Sequence, residues 1–525
     1  MRDKLSDTGP AAIDPPATAY NAAADLVGRN LAAGRADKCA YIDDFGAYSF
    51  RELDTAVRRA AAMLRGLGLQ PEQRVLLCML DTFELPVVFL GAIRAGIVPV
   101  LTNTLLTAGD YAWMLADSRA RLAIVSASLT AHFADARAHA PALERVVVAG
   151  GADDELRSLM DEGTGDDSVA ATSSDEPCFW LYSSGSTGRP KGTVHVHASL
   201  LATADLYAGP VLGITSDDVV FSAAKLFFAY GLGNALTFPL CAGATTVLMA
   251  ERPTPEAVFD RLERHRATIF YGVPTLYASL LASPALPAAD RLLLRCCTSA
   301  GEALPADLGR RWRAHFGLDI LDGIGSTEML HIFLSNRSDD VRYGTTGRPV
   351  AGYALRIVDE GGAIVPAGEI GELQVAGPTA ASLYWNNRAK SRATFAGAWT
   401  RTGDKYRQDA DGYYVYCGRS DDMLKVGGIY VSPTEVEGAL VAHDAVLEAA
   451  VVGRADPAGL IKPQAFVVLK PGRHASDKLA ETLRQHIKAL LAPYKCPRWI
   501  EFIDALPKTA TGKIQRFKLR TSERT

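Results

Sequence analysis

Short runs of apolar, mostly branched residues alternate with stretches of helical periodicity through the first part of the chain, and this alternation restricts the fold more than any other feature. The runs "RVLLCML" (74–80), "IVPVL" (97–101), "RLAIVS" (121–126) and "RVVVAG" (145–150) are short and show no regular polar alternation, so they read as strands buried on both faces. Residues 51–67 and 85–95 carry apolar side chains at helical spacing. Buried strands separated by helices predict parallel sheets covered by helices, an α/β class. A polar stretch at 151–176 reads as a surface connection, after which the pattern restarts: "CFWLY" (178–182), a helix after 195, "TTVLM" (245–249), a helix at 254–266, "ATIFYG" (267–272) and "RLLLRCC" (291–297). Two α/β units are therefore expected to follow one another, with Cys296 and Cys297 facing opposite sides of one strand. From about 343 the texture changes to frequent Gly and Pro with short β runs ("ALRIVD", "ELQVAG", "YYVYCG"), which predicts a small antiparallel or barrel-like unit. Beyond about 420, a helix at 433–441, strands at 446–453 and 464–470, a helix at 477–491 and a strand at 498–503 predict a compact α+β unit.

Composition removes whole classes of function. The 525 residues carry a net charge of -4 with acids and bases intermixed, which leaves no electrostatic footprint for a nucleic acid or an anionic membrane. Eight cysteines show no CxxC spacing, which fits reduced thiols better than a disulfide framework or a zinc site. The N-terminal stretch has no apolar signal-like region, and the long apolar runs at 86–102 and 235–250 are interrupted by Arg94, Pro239 and Gly243. A cytoplasmic protein is expected.

The stretch "YSSGSTGRPKGT" (182–193) points to a ligand. Gly185, Gly188 and Gly192 let the backbone turn tightly and present N–H groups; Ser183, Ser184, Ser186 and Thr187 add hydroxyls; Lys191 adds a mobile cation. Such a loop is suited to cradling phosphate, the plain alternative being a Ser/Gly surface linker. It is not a Walker A loop, because Pro190 rather than Gly precedes the lysine.

With its neighbours, this loop resembles the phosphate loop of the adenylate-forming enzymes: acyl- and aryl-CoA synthetases, nonribosomal adenylation domains and luciferases. "SAGEALP" (299–305) and "DGIGSTEM" (322–329) resemble the adenine-binding and Thr-Glu segments of that superfamily. "TRTGDKY" (400–406) resembles its ribose-binding motif, "GRSDDMLKVGG" (418–428) its hinge, and "PKTATGKIQR" (507–516) its C-terminal lysine loop. Within the superfamily, "KLFFAYGLGN" (225–234), "GIGSTEMLHIF" (323–333) and "YWNNRAKSRATF" (384–395) are most similar to the benzoate-CoA ligase group. The resemblance implies a large N-terminal domain (1–420) of two α/β sheet units plus a small β-barrel-like unit, followed by a small mobile α+β domain (421–525).

It also implies roles. ATP and AMP would be held by Ser183, Ser184, Gly185, Ser186, Thr187, Gly188 and Lys191, by Ala300, Gly301 and Glu302, by Asp322, Gly323, Ile324, Gly325, Ser326 and Thr327, and by Asp404 and Arg419 at the ribose. Glu328, with Thr187, would hold Mg²⁺, a hard cation that prefers oxygen ligands. Lys513 would bridge carboxylate and α-phosphate during adenylation, Asp421 would be the hinge, and Lys425, Gly427 and Gly428 would line a tunnel for coenzyme A. Phe228, Ala229, Tyr230, Gly231, Ile324, Gly325, His331 and Ile332 would form a flat apolar slot for an aryl acid, although any of the aromatics could equally be core. His331 could instead be a satisfied core histidine, and His195 and His197 read as strand or helix-start residues. The expected activity is ATP- and Mg²⁺-dependent conversion of benzoate, hydroxybenzoate or 2-aminobenzoate to its CoA thioester. The alternatives are an aryl-adenylating enzyme that loads an acyl carrier protein, and a nucleotide-binding regulator without chemistry. A homodimer stays open.

Overall fold

The computed structural model describes all residues except 1–18, 153, 164–166, 184–189, 421, 427–428, 458–459, 509–513 and 522–525. Two large sheets dominate. The first has the strand order Leu383–Tyr384, Lys191–Val196, Pro177–Ser183, Val98–Leu101, Arg74–Cys78, Leu122–Ser126, Arg145–Ala149. It is parallel from Pro177–Ser183 to Arg145–Ala149 and antiparallel at the Lys191 edge. The second runs Arg348–Pro349, Ile332–Ser335, Ile320–Gly325, Cys296–Ser299, Ile269–Gly272, Val219–Ser222, Thr245–Val247, Cys39–Ile42, Ala47–Ser49.

One expectation about chain order is corrected by this topology. The strand Pro177–Ser183, expected to open the second unit, joins the first sheet instead, with Lys191–Val196 antiparallel beside it: Trp180 and Leu181 register with Val100 and Leu101. Conversely, Cys39–Ile42 runs parallel to Thr245–Val247 in the second sheet. The two units therefore exchange strands and do not simply follow one another. The run "RLLLRCC" is a strand only from Cys296, where pairing with Ile269 begins. Before that point Arg295 is drawn aside to form a two-pronged pair with the Asp218 carboxylate, at 2.7 Å on each side, and Leu293 is exposed. Cys296 packs in a core with Tyr271 and Leu321, and Cys297 in another with Phe270 and Trp312, on opposite faces of the sheet.

Helices cover the sheets for identifiable local reasons. Phe50–Gly66 opens with a capping box in which the Ser49 hydroxyl accepts the Glu52 N–H and Glu52 accepts the Ser49 N–H. It then buries Phe50, Leu53, Val57, Ala60, Ala61 and Leu64 at helical spacing. It meets Glu84–Arg94 almost backbone to backbone: a Cβ at Gly91 would lie 2.6 Å from the Ala60 methyl. The third unit is a curled antiparallel sheet of Ala354–Val358, Gly371–Ala376, Trp399–Gln408, Phe395–Ala396 and Tyr414–Arg419. The C-terminal unit packs Pro433–Val441 and Asp477–Leu490 against a sheet of Val446–Ala455, Ile461–Leu469 and Trp499–Phe502, around Val436, Leu440, Val451, Val467, Leu483 and Ile487. No helix among the described residues is long and apolar enough to cross a membrane.

Candidate active site

The described candidate residues lie on strands of the two large sheets and the curled sheet and on the turns that follow those strands. Ser183 ends one strand, Lys191 begins the next, and the two register as partners across the antiparallel edge. The turn between them, with Ser184, Gly185, Ser186, Thr187 and Gly188, lies outside the described residues, as do Asp421, Gly427, Gly428 and Lys513; of Lys425 only the backbone strand is described. The Ser183 hydroxyl is buried with no partner among the described residues.

Across the second sheet, Ser299 registers with Asp322. Asp322 is buried and takes backbone N–H groups from Leu304 and Gly323, yet burial holds its carboxyl well above the usual range, and its Oδ1 has no partner among the described residues. An unfilled acceptor in a dry site is suited to a donor that arrives with a ligand. Nearby, Ala300 is buried, Gly301 takes the left-handed conformation at φ +91, and Glu302 accepts the Thr275 hydroxyl at 2.6 Å.

The Thr-Glu turn is tied from several sides. Ser326 caps it by accepting the Met329 N–H at 3.2 Å. The ring of His195 bonds the Thr327 carbonyl at 2.8 Å, and burial pushes that imidazole down to about 4, so it is neutral near pH 7. The Glu328 carboxylate accepts the Tyr384 hydroxyl at 2.6 Å, and the Glu328 carbonyl accepts the Ala381 N–H at 2.8 Å. Leu330 follows at φ 64 and ψ -39, with the His331 N–H bonded to the Met329 carbonyl at 2.7 Å. This is a three-residue γ-turn in a strained region for a side-chain-bearing residue. It turns the chain so that Ile332–Ser335 runs back antiparallel to Ile320–Gly325, with Gly325 opposite Ile332. A Cβ at Gly325 would lie 2.5 Å from the His331 carbonyl oxygen, so only glycine allows this approach.

Several of the residues expected to form the slot lie near that turn. Phe228 precedes the short helix Ala229–Leu232 and touches Phe227. Tyr230 shares a 2.5 Å hydrogen bond with the Thr298 hydroxyl and lies against His331 at 5.6 Å between ring centroids. A Cβ at Gly231 would fall 2.1 Å from the Lys225 carbonyl oxygen. His331 is wedged among Tyr207, Tyr230 and Phe238, bonds Asn234 Oδ1 at 3.1 Å, and is pushed down to about 3 by burial. It is a neutral member of a buried aromatic cluster. Ile324 is half-buried, and Ile332 is buried in the core with its side chain over Gly323.

On the curled sheet, Asp404 and Arg419 register across an antiparallel pair, and Arg419 Nη1 reaches Asp404 Oδ1 at 3.0 Å. Asp404 is buried, Arg419 is open to solvent, and Arg419 also donates to the Thr402 carbonyl at 3.1 Å. The strand bearing Asp404 lies against the Thr327–Met329 turn. A cavity of about 680 Å³ on the C-terminal unit, lined by His443, Arg473, His474 and His486, contains none of these groups.

Four contributors escaped the sequence reading: Tyr384, His195, Thr298 and Asn234. Tyr384 and Asn234 stand inside quoted motifs, but period and composition cannot tell which motif residue touches which. Thr298 lies 68 residues from its partner Tyr230 along the chain, and the sequence marks His195 only as a strand or helix-start residue.

Comparison with known proteins places the chain. Residues 29–385 match the family described as AMP-binding enzyme, and residues 435–513 match the AMP-binding enzyme C-terminal domain. The chain is 64% identical over 506 residues to a benzoate–CoA ligase of Thauera aromatica, covering 96% of both chains. It is 51% identical to a 4-hydroxybenzoate–CoA/benzoate–CoA ligase of Rhodopseudomonas palustris, over 95% of this chain and 94% of that one. A crystal structure of a benzoate CoA ligase from Burkholderia xenovorans LB400 superposes with a TM-score of 0.90 at 58% identity, covering 95% of this chain and all of the other. An anthranilate CoA ligase solved with anthranoyl-AMP superposes with a TM-score of 0.92 at 44% identity, covering 97% of this chain and 98% of that one. The buried acceptor at Asp322, the tied Thr-Glu turn and the Asp404–Arg419 pair thus sit on a chain that belongs to the AMP-binding, adenylate-forming enzyme family.

Proposed function

We propose that this chain is an AMP-forming benzoate–CoA ligase, an acid–thiol ligase that joins an aryl carboxylate to coenzyme A at the expense of ATP. The observation that carries this reading is the 64% identity with a benzoate–CoA ligase along 96% of both chains. In the first half-reaction a carboxylate oxygen attacks the α-phosphorus of ATP and pyrophosphate leaves. In the second, the thiol sulfur attacks the acyl carbon, AMP leaves, and the thiol proton is released. Both steps gain mostly from positioning and charge stabilisation.

The residues divide that work. The aromatic wall of Phe228, Tyr230 and His331, closed at Ala229, Gly231, Ile324, Gly325 and Ile332, holds a planar ring and excludes water. Asp404 accepts the ribose hydroxyls and Arg419 supports it. Asp322, Ala300, Gly301, Glu302, Gly323, Ser326 and Thr327 surround the base and phosphates with Ser183–Gly188 and Lys191. Lys513 neutralises charge between carboxylate and α-phosphate, and the 421–525 unit, turning at Asp421, then brings Lys425, Gly427 and Gly428 to the thiol path.

Glu328 fits a Mg²⁺ ion. One of its oxygens is held by Tyr384, and no cluster of three or more His, Cys, Asp or Glu side chains that could hold a metal occurs among the described residues. A single fixed carboxylate would suit a cation whose remaining ligands come from ATP, and Thr187 is the other residue proposed to hold it. When bound, the ion supplies neutralisation of phosphate charge. All eight cysteines are free thiols, which supports a cytoplasmic location.

The test is a panel of benzoate, hydroxybenzoates and 2-aminobenzoate, with ATP, Mg²⁺ and CoA, followed by chromatography of AMP and thioester. Benzoate should give both products in equal amounts. A protein that releases no pyrophosphate with any of these acids would refute the reading.

A further inference from the structure

Tyr384 stands where the phosphate-loop strand, the Thr-Glu turn and the curled sheet converge. It belongs to the two-residue strand Leu383–Tyr384, which pairs antiparallel with Lys191–Val196 through Leu383 with Val194 and Tyr384 with Thr193. The flanking residues extend the attachment: the Trp385 N–H donates to the Gly192 carbonyl at 2.8 Å, and the Ser382 N–H to the Val194 carbonyl at 2.9 Å. A few residues earlier the same segment grips the other side of the site. Thr379 Oγ1 donates to the Met329 carbonyl and the Ala381 N–H to the Glu328 carbonyl, both at 2.8 Å. Tyr384 is 3% exposed, its ring is braced by Phe395 at 5.2 Å, and its main chain is bonded to Ser391 Oγ at 3.0 Å. Its direction is therefore fixed by packing.

Two charged groups meet that one ring. The Lys191 ammonium lies over its face, 4.6 Å from the centroid, and its hydroxyl donates to Glu328 Oε1 at 2.6 Å. Both contacts are of a kind that ligands can join: a cation held over an aromatic face can turn an N–H toward a phosphate, and a carboxylate holding one phenol has a second oxygen to offer a metal ion. A free glutamate would have to select one rotamer each time Mg²⁺ arrives, an ordering cost that a preset hydrogen bond has already met.

We propose that Tyr384 is a positioning residue for adenylation, one ring that presets the Glu328 carboxylate for the Mg²⁺ of ATP through its hydroxyl and the Lys191 ammonium for the phosphates through its face. The inference rests on the proposed function, because it assigns Glu328 to the metal and Lys191 to the phosphates.

Two substitutions separate the two contacts. Tyr384→Phe keeps the ring and removes the hydroxyl; Tyr384→Leu removes both. Binding of a non-hydrolysable ATP analogue is measured by calorimetry with and without Mg²⁺, beside the two half-reactions. Tyr384→Phe should weaken Mg²⁺-dependent binding about 10-fold, the scale of one hydrogen bond to a charged acceptor, and leave metal-free binding unchanged. Tyr384→Leu should weaken both. Pyrophosphate exchange should fall in Tyr384→Phe, while thioester formation from supplied benzoyl-AMP and CoA stays near the parent rate. Added to Glu328→Gln, Tyr384→Phe should cost nothing further. Tyr384→Phe alone carries the test should the leucine variant fail to fold. Parent-like Mg²⁺-dependent binding in Tyr384→Phe, equal loss in both half-reactions, or additivity with Glu328→Gln overturns the role of Tyr384 in an otherwise active enzyme. A parent protein inactive toward every aryl acid overturns the function itself.

Discussion

Acidification should act through His331 on stability before it changes the charge of the proposed aryl slot. This imidazole is 2% exposed, surrounded by Tyr207, Tyr230 and Phe238, and pushed from 6.5 down to about 3 by burial. The folded protein therefore binds this proton less tightly than the unfolded chain. Stability from His331 is complete above pH 6.5 and falls as pH drops toward 3, at up to about 1.4 kcal/mol per pH unit. At pH 5 the loss is about 2 kcal/mol relative to pH 8. The direct measurement is an NMR titration of ¹⁵N-histidine-labelled protein, assigned with His331→Gln, which should show an unprotonated His331 ring down to pH 5. The second is native-state hydrogen exchange of the Ile320–Gly325 strand: the destabilisation caused by His331→Gln should shrink by about 2 kcal/mol between pH 8 and pH 5, because the variant no longer pays to keep the ring neutral. A ring that protonates above pH 5.5, or a variant whose destabilisation is independent of pH, would refute the reasoning.

Other outcomes follow from the same geometry. Asp404→Ala removes a buried acceptor paired with Arg419 at 3.0 Å and should raise the KM for ATP about 10- to 100-fold, the range for hydrogen bonds to a charged group; an unchanged KM would take Asp404 away from the ribose. Ala229→Phe should exclude benzoate by overpacking, at about 1–3 kcal/mol, while calorimetry still detects the ATP analogue; parent-like benzoate kinetics would remove Ala229 from the slot. Lys513→Ala should slow pyrophosphate exchange by about 10²- to 10³-fold yet spare thioester formation from supplied benzoyl-AMP, with Lys508→Ala as the charge control. Equal loss in both steps would argue against two arrangements of the C-terminal unit.

The sequence disclosed those parts of the fold that depend on local period. The buried strand Arg74–Cys78 and the helix Phe50–Gly66 follow from unbroken apolar runs and helical spacing, and Ser49 with Glu52 marks the helix start. What it concealed is long-range. Nothing near Cys39 says that its strand pairs with Thr245–Val247, because sheet partnership is set by which apolar faces meet after collapse. The site divides in the same way. Glu328, Asp404 and Arg419 stand out through their motifs, whereas Tyr384, 56 residues from Glu328 along the chain, becomes legible only when two strands are laid side by side. The strain at Leu330 is equally invisible beforehand, since leucine gives no hint of a positive φ.

The exchange of strands between the two large sheets bears on how the chain must be made. Cys39–Ile42 leaves the ribosome early, but its parallel neighbour Thr245–Val247 emerges about 200 residues later, which at ordinary translation speeds of about 5–20 residues per second is a wait of about 10–40 s. During that interval the segment has apolar residues to hide and, in the second sheet, only its own hairpin mate Ala47–Ser49 to pair with. The first sheet meets a shorter delay, since its last parallel strand, Pro177–Ser183, arrives before any central strand of the second. Cotranslational folding is thus biased to proceed from the first sheet outward, with the amino-terminal hairpin held back as a clasp that locks the second sheet only after Thr245–Val247 has been delivered.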